Sequence, residues 1–321
     1  MSPKASDLER SSGKQLYGPN TGTNRAGLCR MVALRFDRRA AGAARALIGA
    51  LSEASAEDPY LRRLIGDGRH CHGFGYALAG KRGSSWEVSW TRYDAQDGRR
   101  DEQEACEANL RELARAVRSL ESAIEGYGEV ALTLHSRRTL GEPRGTTDAH
   151  PFRAELPLSV NGVAEPFELY LSHNGGVDKL PLAEEIGLPA AERMTDSHVL
   201  THYVAWHLRG TDVVDLPARI AELARSIERH VRSSLDLNLL FFGRSTGPLL
   251  LAVGYVVSKD ENKVRYYEPV LVRGDGISGY VSSTVRDLVE ERLKELEFRS
   301  FRDRFVAVLG PGFYELLEIG G

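Results

Sequence analysis

Gly27-Leu28-Cys29-Arg30-Met31-Val32-Ala33-Leu34 is the stretch that decides how this chain folds. An apolar run that follows turn-forming residues is typical of a β-strand, and we predict the first strand of the domain over 28–36. Residues 1–27 are polar and carry few large apolar side chains. Such a segment cannot bury enough apolar surface to fold, so we predict that it is disordered or loosely attached.

The composition of the 321-residue chain is that of a globular protein. Apolar residues make up 42% and charged residues 27%, and the formal net charge is -3. This charge gives no electrostatic reason to expect nucleic acid or an anionic membrane as a partner. No stretch approaches the roughly 20 apolar residues that cross a bilayer, and the N-terminus lacks the apolar core of a secretory signal. We therefore expect neither nucleic acid nor membrane as a partner.

The three cysteines, Cys29, Cys71 and Cys106, do not form the pattern of a disulfide framework. We therefore expect a cytoplasmic protein without such a framework. A reducing compartment would also keep a cysteine nucleophile usable.

The predicted strands come in hairpin-like groups, and the predicted helices are grouped between them. The clearest helix is predicted over 101–126, where leucine, valine and isoleucine repeat at helical spacing. Other helices are predicted over 40–51, 196–208, 216–233 and 285–296. Strands are predicted over 129–135, 155–160, 167–172 and 237–242, among others. This order favours a layered α+β fold, and no repeat or linker divides 29–321, so we predict one domain.

Three later patches follow Cys29 in order: His135-Ser136-Arg137-Arg138-Thr139-Leu140-Gly141, Ser172-His173-Asn174-Gly175 and Thr195-Asp196-Ser197. Together with Leu28-Cys29-Arg30-Met31 they resemble the class II glutamine amidotransferases, which belong to the N-terminal-nucleophile (Ntn) hydrolases. The resemblance covers most of 29–245. It implies a four-layer αββα sandwich, with two facing, mostly antiparallel sheets and helices outside. About 290 residues leave no room for a separate synthase domain, so a stand-alone enzyme is implied.

The resemblance also implies a role for each patch. Cys29 would be the nucleophile, and the Asn174 amide and the Gly175 N–H would form the oxyanion hole. Arg137 would bind the α-carboxylate of glutamine, which its planar guanidinium matches bidentately. Asp196 would bind the α-ammonium. Read without the family, Asn-Gly predicts a turn, and Thr-Asp-Ser predicts a helix N-cap.

Two departures from the family pattern leave alternatives open. The patch that begins at His135 is one residue shorter than the family's His-x-Arg-x-Ala-Thr-x-Gly, so Arg138 competes with Arg137 as the carboxylate ligand. His70-Cys71-His72-Gly73-Phe74-Gly75 resembles a His-x-Asp-Gly-Trp-Gly strand, with His72 and Phe74 in place of the aspartate and the tryptophan. Neighbouring residues of a strand point to opposite faces, so we expect no metal there.

In the Ntn class the base is the α-amine of the nucleophile, whose pKa of roughly 7.7 to 8.0 suits proton transfer at neutral pH. Cys29 can act in this way only if the chain begins there. A propeptide could be cut after Leu28. Alternatively, residues 1–28 could reflect a mis-assigned start, with codon 28 read as methionine, which is the interpretation that we favour from the sequence.

The sequence thus predicts a glutamine-hydrolysing amidotransferase that forms a γ-glutamyl thioester and releases ammonia. We expect no cofactor and no metal, and a separate ammonia-accepting enzyme as a partner. One alternative is the hydrolysis of γ-glutamyl peptides or conjugates. The other is a non-catalytic regulatory or assembly module with the same fold.

Overall fold

The computed structural model describes residues 27–98 and 101–320, which form two antiparallel sheets with helices. The predicted extension falls almost wholly on residues 1–26, which lie outside this range. The first sheet has seven strands, in the spatial order β11 (Glu297–Ser300), β9 (Pro269–Gly274), β10 (Ile277–Ser282), β1 (Leu28–Asp37), β4 (Glu129–Arg138), β2 (Phe74–Arg82) and β3 (Ser85–Tyr93).

The second sheet has six strands. Their spatial order is β13 (Phe313–Glu318), β12 (Phe305–Gly310), β8 (Gly247–Gly254), β7 (Val231–Gly243), β6 (Val163–Val177) and β5 (Phe152–Val160). Strand β6 is longer than the predicted strand over 167–172. It includes the His-Asn-Gly patch, which we had expected to enter a loop.

The α-helices within the described residues are α1 (Ala41–Ala56), α2 (Pro59–Ile65), α3 (Glu102–Ala123), α4 (Lys179–Glu185), α5 (Asp196–His207), α6 (Leu216–Ser226), α7 (Glu261–Tyr267) and α8 (Ser283–Val289). The predictions over 40–51, 101–126 and 196–208 are confirmed to within a few residues. The prediction over 216–233 is wrong beyond Ser226, because 231–233 belong to strand β7, in which Val231 pairs with Val177 of β6. The prediction over 285–296 is wrong beyond Val289.

Apolar side chains form three separate layers of core. One cluster joins α1, α3 and α8 to the seven-stranded sheet, and a second joins α4, α5 and α6 to the six-stranded sheet. A third cluster includes Met31, Ala131, Leu240 and Ala252, which belong to strands of both sheets. The α+β class is therefore confirmed, and the arrangement is compatible with a sandwich in which the sheets face each other between the helices.

The alternation of side chains along the strands brings the patches to one place. Along β1, Val32 and Leu34 join the helix-side cluster, whereas Met31 and Ala33 join the cluster between the sheets. Successive residues of a strand point to opposite faces, so Cys29 shares the inter-sheet face with Met31. The same parity puts Arg137 of β4 and Asn174 of β6 on inter-sheet faces.

A disulfide joins Cys71 to Cys106, with 4.8 Å between their Cα atoms. The expectation of no disulfide is therefore wrong, and Cys29 is the free cysteine. The pairing was missed because it depends on the packing of α3 beside the turn that precedes β2. Since disulfides persist mainly in oxidising surroundings, the bridge also removes the basis on which a cytoplasmic location was expected. Among the described residues, no helix has the length and apolar character needed to cross a membrane.

Candidate active site

Cys29 lies at the start of the central strand β1, and only 1% of its surface is exposed. Burial raises the pKa of its thiol to about 12, against the opposing effects of the Arg137 guanidinium and the backbone N–H of Arg138. The thiol is therefore protonated at neutral pH in this form of the chain. It needs a base before it can attack a carbonyl carbon.

Asn174 is in direct contact with Cys29. Its Oδ1 accepts a hydrogen bond of 2.9 Å from the Cys29 backbone N–H, across 145 residues of sequence. Oδ1 is thus engaged by the nitrogen that would become the α-amine, whereas the Nδ2 group of the same amide can only donate. The pairing of β6 with β7 shifts register between Gly175 and Val177. Irregularities of this kind are common beside active sites, where they re-aim backbone groups.

The backbone conformation and the close packing at position 175 both require glycine. Its φ of +142° lies in the region that favours glycine, and a Cβ there would lie 1.9 Å from the carbonyl oxygen of Ser234. The glycine of the His-Asn-Gly patch therefore allows the backbone to approach closely beside the nucleophile.

Of the two candidate arginines, Arg137 is the one that shares a face with Cys29. It is the partner of Cys29 in the pairing of β1 with β4, it is buried, and its Nη1 donates to the carbonyl oxygen of Pro143 at 2.8 Å. Arg138 points to the other face, where its Nη1 lies 2.9 Å from Nε2 of His72 and its Nη2 lies 3.3 Å from Asp67.

Asp196 is buried at the first position of α5, after the N-cap Thr195, as the N-cap pattern predicts. Its Oδ2 accepts from the Val177 N–H at 3.1 Å, and its Oδ1 accepts from the Ser197 hydroxyl at 3.2 Å. The hydroxyl of Ser197 in turn lies 2.9 Å from Nδ1 of His173. These contacts tie the start of α5 to β6, and the negative charge of Asp196 acts on the Cys29 thiol.

Gly27 and Leu28 occupy the space in front of Cys29. The Gly27 N–H donates to the Gly175 carbonyl at 2.6 Å, and the Tyr267 hydroxyl donates to the Gly27 carbonyl at 3.1 Å. An open cavity of ≈ 810 Å³ lies elsewhere, at the end of β6 that is remote from Asn174, and its lining includes Val88, Glu155, Phe167, Phe242 and Arg244. The predicted site residues therefore come together around a site that the chain itself fills.

Sequence reasoning missed several residues near Cys29 or near Asp196. The Tyr266 hydroxyl donates to the Cys29 carbonyl at 3.0 Å, and Nδ1 of His70 lies 3.1 Å from the Leu28 carbonyl oxygen. Glu142 is largely buried, and burial raises its pKa, with a further rise from the negative charge of Asp196. For the tyrosine and the glutamate the sequence held no signal, whereas His70 belonged to a patch that we had singled out.

Asp236 is a fully buried carboxyl group on the strand that pairs with the Asn174 segment. Burial raises its pKa to about 8, although hydrogen bonds from Ser234 and from the Tyr255 backbone oppose the rise. The pKa of an aspartate in an unfolded chain is about 3.9. Between roughly pH 4 and pH 8 the folded chain therefore holds a proton that the unfolded chain lacks, so this group makes stability fall as pH rises.

We expect Asp236→Asn to flatten this dependence, because asparagine stays neutral at every pH. The free energy of unfolding of the wild type should fall relative to the variant by about 1.4 kcal/mol per pH unit within that window. Urea unfolding between pH 5 and pH 8.5 measures the difference. Asp275→Asn, at a side chain that is 83% exposed, is the control, and an equal slope in wild type and Asp236→Asn would contradict the expectation.

Within residues 27–98 and 101–320, no three His, Cys, Asp or Glu side chains are grouped as a metal site would require. The two histidines of α5 that lie one turn apart, His198 and His202, stack against each other with 5.1 Å between their ring centres, and they are not part of such a group.

Comparison of the chain with models of protein families, with curated proteins and with solved structures finds no match.

Proposed function

We propose that this protein is an Ntn-type amide hydrolase that releases ammonia from glutamine, with Cys29 as the nucleophile once it is the first residue. The observation that carries the proposal is the 2.9 Å hydrogen bond between the Cys29 nitrogen and Oδ1 of Asn174, in a strand where Gly175 follows directly. This hydrogen bond places the amide of Asn174 beside Cys29, which carries the free thiol and the nitrogen that would become the α-amine. Both residues are buried between the two sheets.

In the proposed reaction the α-amine of Cys29 takes the proton from Sγ, and Sγ attacks the side-chain carbonyl carbon of glutamine. Asn174 accepts from the amine through Oδ1, which turns its Nδ2–H groups towards the developing oxyanion, and the Gly175 N–H is the second donor. Each such donor is worth about 3 to 4 kcal/mol in comparable enzymes. The amine then delivers the proton to the leaving ammonia. A γ-glutamyl thioester remains, and water hydrolyses it to glutamate.

The charges around the site support an amino acid as the substrate. Arg137 supplies a guanidinium on the Cys29 face of the sheet, and Asp196 supplies a carboxylate at the start of α5. The two groups suit an α-carboxylate and an α-ammonium, respectively. Glu142 adds a second carboxylate, which Lys179 approaches to 3.9 Å. The reaction requires the removal or absence of residues 1–28, because a peptide nitrogen cannot act as the base.

The test is the release of glutamate and ammonia from glutamine by a chain that begins at Cys29. Such a chain can be produced with a starting methionine that the host removes, and its intact mass confirms the first residue. Glutamate from glutamine, with none from asparagine, is the expected result. If the chain with a free Cys29 amine releases glutamate from no γ-glutamyl compound, the fold serves as a non-catalytic module instead.

γ-Glutamyl peptides form a second arm of the same assay. Leu140 belongs to the same patch as Arg137, and its apolar side chain is 41% exposed. Such a surface suits the larger leaving amine of a γ-glutamyl peptide or conjugate. Glutamate from γ-glutamyl peptides, with none from glutamine, would keep the mechanism and change the substrate.

Arg137→Gln and Arg138→Gln form a matched pair that tests the carboxylate ligand. A hydrogen bond to a charged group contributes about 1.5–3 kcal/mol, so we expect Arg137→Gln to lower kcat/KM for glutamine about 10²-fold. Arg138→Gln should stay within about threefold of the wild type, since its side chain lies on the other face, with His72 and Asp67. The reverse order of the two effects would assign the carboxylate to Arg138.

A further inference from the structure

The disulfide between Cys71 and Cys106 takes no part in the proposed hydrolysis of glutamine. Cys71 lies in the turn at 70–73 that precedes β2, whereas Cys106 lies in the second turn of α3, and 35 residues separate them in the sequence. Helix α3 packs on the helix side of the seven-stranded sheet, opposite to the face that carries Cys29. The bridge therefore fastens the turn to a helix that lies away from the candidate site.

The turn at 70–73 bonds to both backbone polar groups of Arg137. The His72 N–H donates to the Arg137 carbonyl at 2.8 Å, and the Arg137 N–H donates to the Gly73 carbonyl at 2.9 Å. His72 follows Cys71 directly in the sequence. The position of the bridge is thus passed on, through one neighbouring residue, to the end of β4 that carries the proposed ligand of the substrate carboxylate.

Helix α3 holds Cys71 through the disulfide and also through a hydrogen bond. Nδ2 of Asn109 donates to the Cys71 carbonyl oxygen at 2.8 Å. A chain in which the bridge is open keeps this hydrogen bond and loses the covalent link. We therefore expect an open bridge to loosen the turn without unfolding the protein.

A guanidinium faces the sulfur of Cys71. Nη1 of Arg138 lies 3.8 Å from this Sγ, on the face of β4 that is turned away from Cys29. A neighbouring cation favours a thiolate over a thiol, and a sulfur that is stable as a thiolate leaves a disulfide more readily. Attack on Cys106 would thus release the Cys71 sulfur as an anion that Arg138 stabilises.

We propose that Cys71–Cys106 is a redox-active site that sets how firmly Arg137 is held, and that its reaction partner is a dithiol. With the bridge closed, the α-carboxylate of glutamine meets a fixed guanidinium, and with the bridge open, the turn at 70–73 loosens and the substrate binds less tightly. The effect on glutamine rests on the proposed function, whereas the loosening around Arg137 does not. The oxidised chain is the form that binds substrate well.

The reduction exchanges one disulfide for another. Both cysteines are buried, so the reductant reaches Cys106 when the start of α3 opens locally. One thiolate of the dithiol attacks Sγ of Cys106, the sulfur–sulfur bond of the bridge breaks, and Cys71 leaves as a thiolate. The second thiolate attacks the mixed disulfide and releases Cys106. Two electrons pass to the bridge, the reductant leaves as a disulfide, and its two protons pass to solvent or to the freed sulfurs.

Hydrogen exchange of the full chain, with and without dithiothreitol, measures the loosening directly. Alkylation followed by peptide mass analysis confirms that Cys71 and Cys106 are free in the reduced sample. We expect reduction to speed the exchange of the His72 and Arg137 amides at least about tenfold, because their bonds depend on the turn. The amides of β7, which has no contact with the turn through these bonds, should exchange at the same rate in both samples.

The kinetic test uses the chain that begins at Cys29. We expect dithiothreitol to raise KM for glutamine about tenfold and to change kcat less, because Arg137 acts in binding. Cys106→Ser should show the raised KM with or without dithiothreitol. Arg137→Gln lacks the group that the loosening displaces, so dithiothreitol should change its KM by less than about threefold.

Leu113→Ala is the control for a general loss of stability. Leu113 is a buried residue of α3 in the helix-side cluster, and it is not part of the bridge. We expect Leu113→Ala to lower the midpoint of thermal unfolding, as Cys106→Ser does, while its KM stays low until dithiothreitol is added. A raised KM in the oxidised Leu113→Ala chain would mean that stability alone sets substrate binding, and would overturn the proposal.

The proposal is also overturned if dithiothreitol leaves the bridge closed in the folded chain, or if reduction leaves the exchange of the Arg137 amide unchanged. Oxidised dithiothreitol should restore the low KM, and a loss that it does not reverse would count against a redox-active site. A chain that loosens at Arg137 but hydrolyses no γ-glutamyl compound would reject the proposed function alone. A chain that hydrolyses glutamine with the same KM in both redox states would reject redox control alone.

Discussion

Cys29→Ala, in a chain that begins at residue 29, is expected to lose glutamine hydrolysis by about 10⁴-fold or more. The substitution removes the atom that would form the thioester, and the loss of a nucleophile in comparable enzymes costs on the order of 10⁶ in kcat. Alanine is small and apolar, and Cys29 is buried next to Met31 on the inter-sheet face, so the fold should tolerate it. Glutamate release, measured beside thermal unfolding, checks both statements.

The sharpest control keeps the thiol and removes only the amine. A chain that begins at Leu28 retains Cys29, but its nitrogen is then a peptide N–H that donates to Asn174, as in the structure. We expect this chain to be as inactive as Cys29→Ala. Full activity in the chain that begins at Leu28 would show that another group is the base, and would contradict the Ntn mechanism while leaving Cys29 as the nucleophile.

Gly175→Ala is expected to have the largest effect on stability among single substitutions in this site. The new Cβ would lie 1.9 Å from the Ser234 carbonyl oxygen, which belongs to backbone and cannot rotate away. The φ of +142° adds a strain of about 1–3 kcal/mol. We therefore expect the free energy of unfolding to fall by more than about 3 kcal/mol, and the activity to fall with it.

Gly162→Ala separates the two causes. Gly162 has a φ of +81° in the turn between β5 and β6, but a Cβ there would meet nothing within 4 Å. It should therefore cost only the backbone strain, about 1 kcal/mol. Urea unfolding of both variants measures the comparison, and equal losses would mean that the contact with Ser234 adds nothing.

Local patterns predicted the elements whose residues need little from distant parts of the chain. The repeat in α3 and the apolar run of β1 are of this kind. Prediction failed at 227–233, where a helical pattern gives way to β7, because the pairing of this strand with β6 and β8 is a tertiary property. The patch Asn174-Gly175 illustrates the same limit, since its turn preference is overridden by strand pairing on both sides of Asn174.

The site was predictable where a patch carried a chemical pattern of its own. Cys29, Arg137 and Asn174 were named from such patches, and the structure brings them to one inter-sheet region. Tyr266 contacts Cys29 from 237 residues away, and nothing in its surroundings in the sequence marks it. The Cys71–Cys106 bridge was missed for the same reason, because it is set by how α3 packs and not by spacing.

The position of β1 in its sheet has a consequence for protein synthesis. This strand is made before the other described strands of its sheet, yet it lies between β4 and β10, and the Met31 N–H donates to the hydroxyl of Ser282, 251 residues further along the chain. Tyr266 and Tyr267, which enclose Cys29 and Gly27, are also made late. Pairings over such distances form slowly, and only after the later segment exists. The site around the cysteine therefore assembles only after β10 has been made, and a nascent chain that ends before β10 carries its cysteine without that site.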